Sequence, residues 1–232
     1  DPGVDILSIV RAYGLPEAFP KDIMRAAQAI PETVPEDTIA RRRQHDFRQL
    51  TTITIDGEDA KDLDDAVSLE YDETTKQYRL YVHIADVSEY VTEHSLIDQE
   101  ALNRGTSVYL TDRVIPMLPR VLCNGICSLN PEEDRLTLSC VMDIDASGKI
   151  LNHEICESVI RSDKRMSYSG VHAILTNTEL TNGEDIASYL PYKPLLERMY
   201  ELSKLLRKRR YERGGIDFDF PETKIILDAQ GH

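Results

Sequence analysis

Residues 51–84 read TTITIDGEDAKDLDDAVSLEYDETTKQYRLYVHI, and the fold turns on how this stretch is parsed. Thr52-Ile53-Thr54-Ile55 is β-branched throughout, Ala66-Val67-Ser68-Leu69 alternates in polarity, and so does Tyr78 through Ile84. Branching at Cβ and a period of two both specify strands. The polar run from Asp72 to Gln77 predicts a hairpin joining the last two. Between the first two lies Asp56-Gly57-Glu58-Asp59-Ala60-Lys61-Asp62-Leu63-Asp64-Asp65, an acid-crowded loop held by sheet at both ends.

Working outward, a second hairpin is expected from Arg135–Asp145 and Lys149–Arg161, turning at Ser147-Gly148. Between the hairpins Ser95 caps a short helix that runs to Asn103 and stops at Gly105. On the N-terminal side, residues 1–50 read as a helical lead-in segment: Val4–Tyr13, Lys21–Ile30 and Asp37–Arg43, punctuated by Pro16, Pro20, Pro31 and Pro35. Beyond residue 161 the pattern turns helical, at Tyr168–Leu175 and then at Pro194–Arg213, with Leu195, Met199, Leu202, Leu205 and Leu206 on one face. Thr223–Asp228 reads as a strand and Ala229-Gln230-Gly231 as the start of a turn, so the end at His232 is expected to be a cut. Together these predict an α+β fold: a curved mixed or antiparallel sheet flanked by helices, belonging to one larger domain.

The 232 residues are 41% hydrophobic and 29% charged, a globular composition, and no apolar run approaches the roughly 18 residues needed to cross a bilayer. Cys123, Cys127, Cys140 and Cys156 lack the spacing of a zinc knuckle or a thioredoxin motif. They read as reduced thiols in a cytoplasmic protein. A net charge of −14 argues against a general nucleic-acid binder, because affinity for polyphosphates rests on Lys and Arg. Two basic patches soften that objection, Arg41-Arg42-Arg43 and Lys208-Arg209-Arg210, the latter equally a solvated helix end facing its own dipole.

Acids crowded into one loop repel unless a cation neutralises them, and hard divalent ions take oxygen ligands. Mg²⁺ typically binds one or two carboxylates, completing its shell with waters and substrate phosphates. An EF-hand fails, because counting from Asp56 the sixth position is Lys61 where glycine is required. Spacing alone leaves an acidic surface loop and a metal site both open, with phosphodiester hydrolysis one option among several.

Residues 54–66, from Thr54 to Ala66, resemble the acidic signature of the ribonuclease II / ribonuclease R family, whose catalytic domain is called RNB. The likeness continues through Val82-His83-Ile84-Ala85-Asp86-Val87-Ser88 and Asn103-Arg104-Gly105-Thr106-Ser107-Val108-Tyr109. It then extends through Ile115-Pro116-Met117-Leu118-Pro119, Cys127-Ser128-Leu129-Asn130-Pro131 and Arg213-Gly214-Gly215-Ile216-Asp217-Phe218. Gly57-Glu58-Asp59 and the Asp1-Pro2-Gly3 lead-in look nearer the ribonuclease R branch. The resemblance implies that residues 51–232 are the N-terminal half of the catalytic domain of a Mg²⁺-dependent exoribonuclease, which degrades single-stranded RNA from its 3′ end to nucleoside 5′-monophosphates. Asp56, Asp62, Asp64 and Asp65 fall on the family's four active-site aspartates, with Asp56 and Asp65 the better candidates for direct metal contact. Tyr109 falls on the aromatic that stacks against a base near the 3′ end, whereas Glu58 and Asp59 match no catalytic position. Asp86 is read as structural in preference to catalytic. Cold-shock-like, C-terminal catalytic and S1 portions of a family member are missing from the sequence, and half a metal site is not expected to suffice for turnover. The alternative is a non-catalytic RNA-binding or assembly module on the same fold; a plain Ca²⁺-binding domain is a further one.

Overall fold

The computed structural model describes residues 4–179, 185–218 and 220. The strand expected at Thr223–Asp228 and the turn after it lie outside the described residues. The elements, in chain order, are α1 (Val4–Ala12), α2 (Lys21–Gln28), α3 (Glu36–Arg41), β1 (Thr52–Asp56), β2 (Asp65–Asp72), β3 (Gln77–Ala85), α4 (Leu96–Arg104), β4 (Val108–Tyr109), β5 (Val114–Ile115), β6 (Asp134–Ile144), β7 (Ile150–Arg161), β8 (Lys164–Ser167), α5 (Tyr168–Thr176) and α6 (Lys193–Glu212). They fall into two compact units. One comprises Glu32–Asp86 and Asn124–Ile216; the other comprises Asp1–Pro31, Val87–Cys123 and Asp217–His232. The grouping cuts across the lead-in segment, since residues 32–50 belong with the sheet.

In the larger unit six strands form one sheet in the order β7-β6-β3-β2-β1-β8. Every neighbouring pair is antiparallel except β1 and β8, so the sheet is mixed, as its sequence predicts. Local chemistry sets the turns. At the β6–β7 hairpin Asp145 Oδ1 accepts from the Ser147 and Lys149 amides, and Gly148 adopts φ +79°. A Cβ at Gly148 would also lie 3.0 Å from Leu205 Cβ of α6, so two constraints favour glycine there. Strand β8 is absent from the sequence reading because four residues with Lys164 and Arg165 at the front carry little strand signal. Its last residue, Ser167, caps α5 by accepting from the Gly170 amide at 2.8 Å.

One face of the sheet carries the aliphatic core. Ile53 and Met166 pack with Ile174, Tyr189 and Leu196, and Tyr78 and Ile144 pack with Leu202. Leu196, buried in this core, was not on the expected α6 face; Leu195, Met199, Leu205 and Leu206 are partly buried around it.

A polar seam crosses the sheet as well. Thr52 Oγ1 and Ser68 Oγ lie 2.7 Å apart, Ser68 Oγ lies 3.2 Å from His83 Nε2, and His83 Nδ1 lies 2.6 Å from Ser139 Oγ. Ser139 continues to Ser158, and Ser158 to Thr137. His83 is fully buried, and burial pulls its pKa down to about 4. The imidazole is therefore neutral in the fold while the unfolded chain protonates near pH 6.5. Stability is expected to fall as the pH drops from about 6.5 towards 4, by up to about 3 kcal/mol. Urea unfolding midpoints across that range should show the loss, and His83→Gln should flatten it; a pH-independent midpoint in the unsubstituted chain would contradict the neutral assignment.

The seam ends at Arg42, which corrects the reading of Arg41-Arg42-Arg43 as a basic patch. Arg42 is buried, donates to the carbonyls of Thr137 and Ser158, and pairs with buried Asp86 at 2.6 Å. Only Arg41 and Arg43 of the three are at the surface.

In the smaller unit Arg104 is the organising residue. Its guanidinium stacks 3.6 Å from the Phe19 ring, donates to the carbonyls of Pro16 and Ala18, and pairs with Glu100 at 2.9 Å. Ser95 caps α4 and Gly105 ends it with φ +74°, as the sequence predicts. All four cysteines are free thiols, and among the described residues no helix is long and apolar enough to cross a membrane.

Candidate active site

The acidic loop is fixed at both ends by strands, with Asp56 closing β1 and Asp65 opening β2. Its second half is tied down from below. Leu63 is buried in a cluster with Ala66, Ala85, Leu129 and Ile160, so one apolar side chain in an acidic run anchors the loop to the core. Ser128 Oγ receives the Leu63 amide at 3.0 Å and donates to the Lys61 carbonyl at 3.0 Å. The Leu129 amide reaches the Leu63 carbonyl and the Ala85 amide reaches the Asp64 carbonyl, each at 2.9 Å. Ser128 is itself held by Arg135, whose Nε donates to the Ser128 carbonyl at 2.7 Å. The first half of the loop is held from β8 and α5. Arg165 Nη2 donates to the Gly57 and Glu58 carbonyls at 3.3 and 2.7 Å, and Ser169 donates to the Glu58 carboxylate.

These ties bring Asp56, Asp62, Asp64 and Asp65 into one electrostatic group. Burial pushes the Asp56 carboxyl above its ordinary range; Asp65, and then Asp64 and Asp62, push it the same way, while Arg165 opposes them. Asp64 is exposed as a residue, yet its carboxyl is partly withdrawn from water and is raised by that and by repulsion from Asp62 and Asp65. Asp56 Oδ2 is buried and has no hydrogen-bond partner. An orphaned buried carboxylate oxygen costs energy unless a cation or proton meets it. Among the described residues no three His, Cys, Asp or Glu side chains form a ready-made metal cage. The donor set is all hard oxygen, which suits a Mg²⁺ ion that keeps several waters better than a fully protein-ligated ion.

The sequence model of the RNB domain matches residues 44–232. The chain belongs to the RNB-domain family. It is 47% identical over 231 residues to "Ribonuclease R 1" of Lactococcus lactis, covering all of this chain and 27% of that protein. It is 47% identical over 234 residues to "Ribonuclease R" of Thermotoga maritima, covering all of this chain and 32% of that protein. In structure it is similar to Mycoplasma genitalium RNase R in complex with ribose methylated single-stranded RNA, with a TM-score of 0.88 at 31% identity, over 99% of this chain and 34% of that one. The chain thus spans about a third or less of the length of these relatives.

Within this RNB chain the other residues singled out by sequence fall differently. Tyr109 belongs to the smaller unit, on β4 of a two-stranded ribbon with β5, and is 68% exposed. Asp86 is structural, held in the ion pair with Arg42. Ser128, Arg135 and Arg165 support the loop and were not recognised as supports. Ser128 stood inside a quoted motif, but nothing local shows that its hydroxyl serves a loop 65 residues earlier.

Proposed function

We propose that this RNB chain is the N-terminal half of the catalytic domain of a 3′-to-5′ exoribonuclease, working in the cytoplasm on the 3′ end of single-stranded RNA. The observation carrying this reading is the acidic group of Asp56, Asp62, Asp64 and Asp65, with a buried Asp56 oxygen left without a protein partner, in a chain similar to proteins named ribonuclease R.

In this reading Asp56 and Asp65, at the facing ends of β1 and β2, hold Mg²⁺, Asp64 steadies the metal-and-water arrangement, and Asp62 supports the site. When bound, Mg²⁺ supplies an activated water and charge stabilisation for the departing 3′ oxygen. The protein's own contribution is preorganisation: the β1–β2 loop holds its carboxylates in a repelling array before any ion arrives, so little reorganisation remains for the reaction. Exposed Tyr109 offers a ring for base stacking, a contact that tolerates any sequence. The cold-shock-like, C-terminal catalytic and S1 portions would supply the remainder, and the chain alone is expected to be inactive.

The test is incubation of the full-length protein with a 5′-labelled single-stranded RNA, with Mg²⁺ or with chelator, products being resolved on a sequencing gel. Mg²⁺-dependent shortening to one short end product is expected. Internal cuts, no degradation, or equal degradation in chelator would refute the reading.

A further inference from the structure

The two halves of the acidic loop are supported differently. The second half is packed through Leu63 and bonded to Ser128, Leu129 and Ala85. The first half is held more lightly: Ala60 is only partly buried against that cluster, and a Cβ built at Gly57 would meet nothing within 4 Å. Ser169 of α5 holds the Glu58 side chain, and what meets the backbone of this segment is β8. In the parallel β1–β8 pairing Arg165 stands opposite Thr54, and Ser167 stands opposite Asp56. From that position the Arg165 guanidinium reaches past the end of β1 and donates to two successive carbonyls, Gly57 at 3.3 Å and Glu58 at 2.7 Å. Both bonds leave one nitrogen, Nη2, whose two N–H groups are held in fixed directions by the plane of a permanently charged fork beside an acidic loop. A lysine would keep the charge but lose the fork.

Resting on the metal-site reading above, we propose that Arg165 is a positioning residue: it fixes the Gly57–Glu58 backbone, and thereby the direction in which Asp56 presents its carboxylate to a divalent cation. It touches neither substrate nor reacting atoms in this role and acts through the loop. Supports of this kind, one step removed from the ligands, set metal affinity by about 10- to 100-fold.

The experiment uses the full-length protein, unsubstituted and as Arg165→Met and Arg165→Lys, with two readouts that need no catalysis. Amide hydrogen exchange follows residues 57–62 against β3 and β6 as an internal reference for folding, and Mn²⁺ binding is titrated by electron paramagnetic resonance. In Arg165→Met, exchange at 57–62 should quicken about tenfold with β3 and β6 unchanged, and Mn²⁺ affinity should fall about tenfold or more. Arg165→Lys should recover part of the affinity but little of the protection. A Met variant with unchanged loop exchange, or with a loosened loop and unaltered Mn²⁺ affinity, overturns the proposal. Absence of saturable Mn²⁺ binding in the unsubstituted chain is a different failure: it sinks the metal reading itself, and the proposal with it.

Discussion

Asp64→Ala in the full-length protein should lower single-turnover RNA hydrolysis by about a thousandfold or more, equivalent to about 4 kcal/mol of transition-state stabilisation, while RNA affinity stays within a few-fold. The split follows from where Asp64 sits. Its backbone carbonyl is held by the Ala85 amide and its neighbour Leu63 is packed in the core, so truncating the side chain leaves the loop in place. The residue is exposed and its carboxyl is raised by partial burial and repulsion, so little folding stability is lost with it. What disappears is one member of a group of mutually repelling carboxylates, the group proposed above to hold the cation. Asp59, exposed in the same loop and matching no catalytic position, is the control, and Asp59→Ala should stay within about twofold, as surface changes away from a site do. Hydrolysis by the Asp64 variant within tenfold of the unsubstituted enzyme would remove this aspartate from the mechanism.

Asp86→Ala should cost about 3–5 kcal/mol of folding stability, because it removes the buried carboxylate that pairs with the Arg42 guanidinium. Arg42 is 5% exposed and Asp86 4% exposed, and their 2.6 Å contact lies away from bulk water. For a chain of this length the loss corresponds to about 6–20 °C in Tm. Removing both charges in Arg42→Met/Asp86→Leu should be milder than Asp86→Leu alone, since no uncompensated charge remains. Recovery should be incomplete, because the Thr137 and Ser158 carbonyls lose their Arg42 donors. Urea unfolding followed by circular dichroism measures all of these; a loss under about 1 kcal/mol for Asp86→Ala would mean that the pair contributes little.

How far the fold could be read from sequence depended on whether a residue's neighbours were near it in the chain. Strands β1, β2, β3, β6 and β7 all showed themselves through branching or alternation, and Ser95, Gly105 and Gly148 marked their turns correctly. Alternation alone does not show which face meets water. A polar residue at every second position reads as a wet face, yet Thr52, Ser68, His83, Ser139 and Ser158 are buried and satisfy one another across strands. Arg42 misled for the same reason, as one cation in a run of three whose partner lies 44 residues on. The four aspartates stand out by their density and by the family resemblance, and the structure groups them electrostatically. Their supports do not stand out, because Ser128 and Arg165 reach the loop from 67 and 108 residues away. No local window contains both ends of such a contact.

The parallel pairing of β1 with β8 also sets a timetable. Each hairpin, β2–β3 and β6–β7, closes over a short loop and can form early, while β1–β8 joins segments more than a hundred residues apart and bears the largest closure entropy in the sheet. During synthesis the acidic loop emerges long before Arg165 does. The Gly57–Glu58 end of the acidic loop is therefore expected to settle last, once β8 has docked beside β1.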